Sequence, residues 1–287
     1  MLTHYGENKF ADAIRGVDLV LPVDGWYLGL ASAASKSAVT ELTGTGYERL
    51  LVPRTLTDWC GTQGAGTTLP STGNSHQISN NNLLDWGEAG SAWGTSAYLL
   101  FFDDDTAGNC WAFLPVPPTP IVIAEGDPVT LAIGLLKIKF GATGGMSDYL
   151  ANKWLDRMWR GEAFTYPASM WAGYSTTATS NSSSGTEPAL GGYARVEVES
   201  TTDAWSGTQG TGTTSASSGT SGRISNNEEI TFPAPTASQG TVGWTIFKDA
   251  PTGGNLLWHG PLASAKSVTA GGDPMKFSID KRGIQFQ

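Results

Sequence analysis

A constant displacement of 146 positions runs through the chain and restricts it to folds that can be built twice over. Trp59-Cys60-Gly61-Thr62-Gln63-Gly64 returns as Trp205-Ser206-Gly207-Thr208-Gln209-Gly210, and Ile78-Ser79-Asn80-Asn81 returns as Ile224-Ser225-Asn226-Asn227. The same offset pairs Gly46-Tyr47 with Gly192-Tyr193, Asn109 with Asn255, Gly126-Asp127-Pro128 with Gly272-Asp273-Pro274, and Phe140 with Phe286. Near the N-terminus it slips to 144, pairing Asn8-Lys9 with Asn152-Lys153, as a short insertion produces. Gly141-Ala142-Thr143-Gly144-Gly145 has the composition of a flexible linker, so the copies are expected at 1–143 and 146–287.

Each copy opens on a helical pattern. Phe10, Ala13, Ile14 and Val17 recur at helical spacing, as do Leu150, Trp154, Leu155 and Met158, with Gly16 and Gly161 as left-handed caps. Beyond these, short β-branched and aromatic runs alternate with Gly, Pro, Ser, Thr and Asn. The clearest run is 194–199, where Ala194, Val196 and Val198 alternate with Arg195, Glu197 and Glu199. With no βαβ alternation, the expectation is an all-β chain of two tandem β-sandwiches of jelly-roll type, each with one short N-terminal helix. The tracts 61–73 and 206–222 are Gly/Ser/Thr loops that bury too little apolar surface to order themselves, which predicts that a neighbour orders them.

Composition excludes several functions. A net charge of −9 without a basic cluster argues against nucleic acid, whose phosphates reward grouped Lys and Arg. The start of the chain lacks a secretory pattern, and the apolar stretch 115–124 is short and broken by proline, so neither Sec export nor a membrane span is expected. Cys60 and Cys110 are too few for a disulfide framework or a zinc site and read as reduced. His4, His76 and His259 have no histidine counterpart in the other copy and lie in no nucleophile motif. Asp103, Asp105 and Gly108 imitate a calcium loop, but Leu114 stands where a bidentate glutamate is required, so a solvated turn is expected. Glu88, Glu228 and Glu229 have no spacing that fixes a glycosidase pair. No catalytic residue, metal site or cofactor is therefore expected.

Two residue sets remain as surface candidates. Trp86, Trp93 and Trp111 lack a tryptophan partner at the repeat offset, which makes them the candidates for stacking on a glycan. Leu51, Leu83, Phe102, Leu135 and Leu136 occupy positions held in the second copy by Glu197, Glu229, Lys248, Lys281 and Arg282. Apolar replacement of charge predicts a covered protein contact on the first copy. That copy also carries a net charge of −7 against −2 for the second, so its acidic groups must face away from the contact or meet a basic partner.

The second copy resembles a known family. Tyr-Pro-Ala-Ser-Met-Trp-Ala-Gly-Tyr-Ser-Thr-Thr-Ala at 166–178, Gly-Gly-Tyr-Ala-Arg-Val-Glu-Val at 191–198, Ile-Thr-Phe-Pro-Ala-Pro at 230–235 and the run 243–260 are similar to tail-fibre-type virion proteins of tailed bacteriophages. The first copy shares Gly46-Tyr47, Trp59, the Gly-Thr-Gln-Gly turn and Gly126-Asp127 but not the Pro-Ala-Ser opening. The resemblance implies a non-enzymatic virion protein, a fibre accessory or capsid decoration subunit assembled in the host cytoplasm. It also implies contacts with other tail, collar or capsid proteins and self-association, with a trimer expected from the symmetry common in such appendages.

Overall fold

The computed structural model describes residues 1–140 and 145–286, so four of the five expected linker residues lie outside the described part. Two helices, α1 (His4–Ile14) and α2 (Asp148–Trp159), stand at the start of the two halves. Thr3 and Ser147 cap them by accepting from the backbone N–H of Gly6 and Leu150. Val17, counted in the first helical pattern, lies beyond the helix and is exposed.

Strands make up the rest of the regular structure, and all named pairings are antiparallel. In the first half Trp26–Ala34 is central, flanked by Tyr98–Phe102 on one side and by Leu50–Val52 and Val39–Glu41 in succession on the other. Cys110–Pro115 closes the far edge. The second half repeats the order with Val196–Glu199, Ser169–Ser175, Gly240–Lys248 and Leu256–Val268. Smaller ribbons recur at the repeat offset: Ile78 pairs Ile138 as Ile224 pairs Ile284. The all-β expectation holds. The jelly roll is not reproduced by the pairings: among the described residues each half has one sheet of four or five strands plus ribbons of two.

One apolar cluster runs through both halves, because the helices lie between them. Phe10 of α1 packs on Trp154 of α2 (4.4 Å between ring centroids) and on Phe286 (5.2 Å), while Trp26 faces Trp159 (6.2 Å). The carbonyls left unpaired at the end of α2 are met by groups from the first half. Met158 O accepts from Trp26 Nε1 and Arg54 Nε (both 2.8 Å), and Arg157 O accepts from Arg54 Nη2 (2.6 Å). Burial, together with the nearby Arg157, pulls Arg54 down to about 10.

The expected neighbour of each Gly/Ser/Thr loop is the helix of the opposite half. Asp156 on α2 accepts from Ser71 N (2.7 Å) and Ser71 Oγ (2.6 Å) of the first half. Arg160, with a fully buried side chain, donates to Asp156 (2.6 Å), Trp59 O (3.0 Å) and Leu69 O (2.6 Å). The reciprocal set comes from α1. Asp12 accepts twice from Ser217 N (3.0 Å each), and Arg15 donates to Asp12 (2.8 Å), Trp205 O (3.0 Å) and Ser215 O (3.0 Å). Asn152 and Asn8 take Thr62 and Thr208 in the same crossed sense. Both glycine caps form as expected, with φ of +76° at Gly16 and +72° at Gly161. A Cβ at Gly16 would stand 2.3 Å from Ser200 O, and one at Gly161 2.3 Å from Arg54 O, so glycine is required by conformation and by close approach of the other half.

Two outcomes follow. Arg160→Ala strands a buried carboxylate, and its unfolding free energy in urea should fall by about 3–5 kcal/mol; a loss below about 1 kcal/mol would contradict the grip. Limited proteolysis should show a crossed pattern. Arg160→Ala opens residues 61–73 to subtilisin, and Arg15→Ala opens 206–222.

Candidate functional site: the outer face of the first sheet

Register places Tyr27 opposite both Leu51 and Phe102, so those three side chains form one cross-strand row. The equivalent row of the second half is Glu197, Trp171 and Lys248. Two residues of the apolar candidate set are thus brought together. They differ in exposure: Leu51 is 40% exposed, whereas Phe102 is 5% exposed beneath the guanidinium of Arg49, 3.4 Å from the ring centroid. Leu83 (53%) and Leu135 (41%) are exposed, and Leu136 is buried in the core, its N–H donating to Asn80 Oδ1. As open surface, Phe102 and Leu136 are therefore corrected. Phe102 joins Ala31, Leu100 and Phe113 in a second small apolar cluster, which Tyr27, Tyr98 and Val39 border.

The glycan candidates change more. Trp93 and Trp111 are 4% and 2% exposed, which leaves no ring face for a sugar. Trp93 Nε1 donates to Thr45 O (3.1 Å) and Trp111 Nε1 to Asp103 Oδ2 (3.0 Å). Trp86 is half-buried, with Nε1 on Leu28 O (3.2 Å). Absence of a tryptophan at the repeat position reflected a different way of filling the same core: Phe232 and Leu257 stand opposite Trp86 and Trp111.

A three-residue network beside the row had no place among the sequence candidates. Glu41 accepts from Tyr47 Oη (2.9 Å) and from Arg49 Nε (2.9 Å) and Nη2 (2.8 Å). Arg49 Nη1 then donates to Asp104 O (2.8 Å) and Ala107 O (2.6 Å), holding the turn between Tyr98–Phe102 and Cys110–Pro115. Glu187, Tyr193 and Arg195 repeat the arrangement, with Arg195 Nη1 on Ala250 O (2.6 Å) and Gly253 O (2.9 Å). Burial alone would raise Glu187, but the bonds from Arg195 and Tyr193 leave its carboxyl below the ordinary value. Burial likewise raises the Tyr47 and Tyr193 hydroxyls, so both stay donors. The recurrence of Glu, Tyr and Arg at the repeat offset is the signal that finds them; in the alternating run 194–199 Arg195 reads as outward, whereas its side chain is 6% exposed.

The remaining chemistry-bearing groups are engaged structurally. Asp103 Oδ1 accepts from Asn109 N (2.6 Å), as Asp249 does from Asn255 N (2.6 Å), so the acidic run closes a turn. His76 bonds Asp148 across the halves (2.6 Å), His259 sits between Thr179 and Asn181 (3.0 Å each), and His4 meets Glu7 (3.2 Å). Burial pushes the Cys110 thiol up to about 11, far from a reactive thiolate. Among the described residues no group of three or more His, Cys, Asp or Glu is placed to hold a metal, and no helix is long and apolar enough to cross a membrane.

No curated protein matches the chain. One family model matches it twice, over residues 1–139 and again over 145–285, which is nearly the whole sequence taken as two consecutive units. The chain belongs to the family described as podophage GP4 fiber I protein gp80, a family of phage fibre proteins, and is accordingly a structural component of the virion.

Proposed function

We propose that the protein is a non-enzymatic fibre accessory or capsid decoration subunit, held in the particle by its first copy (1–143) while the second (146–287) faces outward. The observation that carries this reading is the difference between two equivalent surfaces. Leu51 and Leu83 are exposed in the first half, whereas Glu197 and Glu229 occupy those positions in the second, with Glu229 accepting from Lys276 (2.9 Å). Exposed leucines at positions where the matched copy carries charge fit a face covered by another virion protein. Self-association, with a trimer as the expected state, and assembly in the host cytoplasm belong to the same reading. The crossed loops do not add to it, because the chain itself supplies their neighbours.

Mass spectrometry of purified particles should find the chain in fixed stoichiometry with the other fibre proteins; its absence from particles would remove the proposal. Leu51→Glu with Leu83→Glu gives the first half the residues of the second. This variant should melt within a few degrees of the parent and enter particles at least tenfold less often. Glu197→Leu with Glu229→Leu should incorporate normally.

A further inference from the structure

Two strand edges of opposite charge are left open, one in each half. Among the described residues Val196–Glu199 pairs with Ser169–Ser175 along one side only. Ser200 N–H donates to Ala168 O, and the antiparallel alternation counted from that bond turns the backbone groups of Val196 and Val198 toward their neighbour and those of Glu197 and Glu199 away from it. Lys137–Lys139 likewise pairs only with Gln77–Ser79. The bonds from Asn80 N–H to Leu136 O and from Phe140 N–H to His76 O set the alternation there, so Ile138 bonds its neighbour while Lys137 and Lys139 turn outward. All four charged side chains are exposed, and none joins an ion pair among the described residues. A cleft of about 480 Å³ runs along Glu197 and Glu199, lined also by Asp203, Glu228 and Glu229.

We propose that these edges join between copies of the chain, Lys137–Lys139 of one copy adding as an antiparallel strand to Val196–Glu199 of the next; this rests on the self-association proposed above and names its surface. Unpaired strand edges are templates for another strand, and the charges select which one. Pairing the outward residues sets Lys139 opposite Glu197 and Lys137 opposite Glu199, so each backbone bonding pair also carries an ion pair. Ile138 then lies beside Val198, and both are buried residues of their own halves. Two acidic edges repel each other, as do two basic ones, so like halves do not join. A threefold assembly needs two different patches that fit each other, because a self-complementary patch closes a pair. One basic and one acidic edge per chain meet that requirement.

Each half lacks the edge that the other offers. Pro53 stands where the second half has Glu199; it has no N–H, and its carbonyl accepts from Trp59 Nε1 (3.0 Å), so no strand can be added there. Trp205, the counterpart of Trp59, has no partner for Nε1 among the described residues, which leaves the Glu199 carbonyl free of that bond. Gly283 and Gln285 stand where the first half has Lys137 and Lys139, and Gln285 Nε2 folds onto Ser221 O (3.0 Å) and Gly222 O (3.1 Å). Duplication supplied both strands twice. Each charged edge is kept in one half alone, as a head-to-tail contact requires.

Sedimentation velocity on the full chain tests the contact, and the parent should sediment as a trimer. Lys137→Glu with Lys139→Glu, and separately Glu197→Lys with Glu199→Lys, should weaken association about tenfold or more. Both variants should melt within a few degrees of the parent, because the four side chains are exposed. All four reversals in one chain restore opposite charge across the contact and should recover the parent's mass, which a merely damaged edge would not do. Association unchanged by either reversed pair, or not recovered by the fourfold variant, overturns this contact and leaves self-association to another surface. A parent that stays monomeric at high concentration removes self-association and this contact together, while the virion role is read separately from purified particles. Glu197→Leu keeps the ladder and the Lys137–Glu199 pair, so entry into particles through the first half does not depend on it.

Discussion

The buried Asp156–Arg160 pair, and its counterpart Asp12–Arg15, hold the two halves in register. A buried ion pair contributes little if its remaining hydrogen-bonding groups go unmet, and a great deal is lost if one member is removed. Here those groups are met by loop carbonyls and serines of the opposite half. The loops, with almost no apolar side chains, are ordered by this polar seam in place of a core. Within each loop a glutamine continues the same economy: Gln63 Nε2 bonds Pro70 O and Thr72 Oγ1, and Gln209 Nε2 bonds Ala216 O and Ser218 Oγ. The repeated Gly-Thr-Gln-Gly turn is thus the start of a docking loop.

Much of the architecture was legible in the sequence, and the reason is the duplication. Helix stripes, glycine caps and the Ile78 and Ile224 strands could each be checked against a second instance. What escaped was the direction of the polar groups. Asn8, Asp12 and Arg15 recur as Asn152, Asp156 and Arg160 on the helices, but a charged helical face ordinarily reads as solvated, and no local pattern states that a loop from the other half covers it. Arg195 escaped for a related reason. In an alternating strand an arginine reads as outward, yet its long side chain folds back onto Glu187 and the following turn.

The surface candidates show where single-sequence reasoning stops. Trp93 and Trp111 lack tryptophan partners in the repeat, which reads as a mark of the surface, whereas both rings are buried and each indole N–H has an acceptor within the chain. Comparing copies reveals which positions changed but not which way they face. Leu51 and Phe102 changed alike from charged to apolar; one remains open, and the other became the platform for Arg49.

The crossed helices also set an order of completion during synthesis. Residues 61–73 leave the ribosome long before Asp156 and Arg160, the groups that hold them, have been made. Conversely, Asp12 and Arg15 have only each other until their loop partners in 205–217 emerge. Neither half can reach its final form while the other is missing, so the nascent chain passes through a stage in which one sheet exists with its loop undocked. Two copies that could have lain as beads on a string are instead tied to each other by loops that dock only when the last third of the chain is in place.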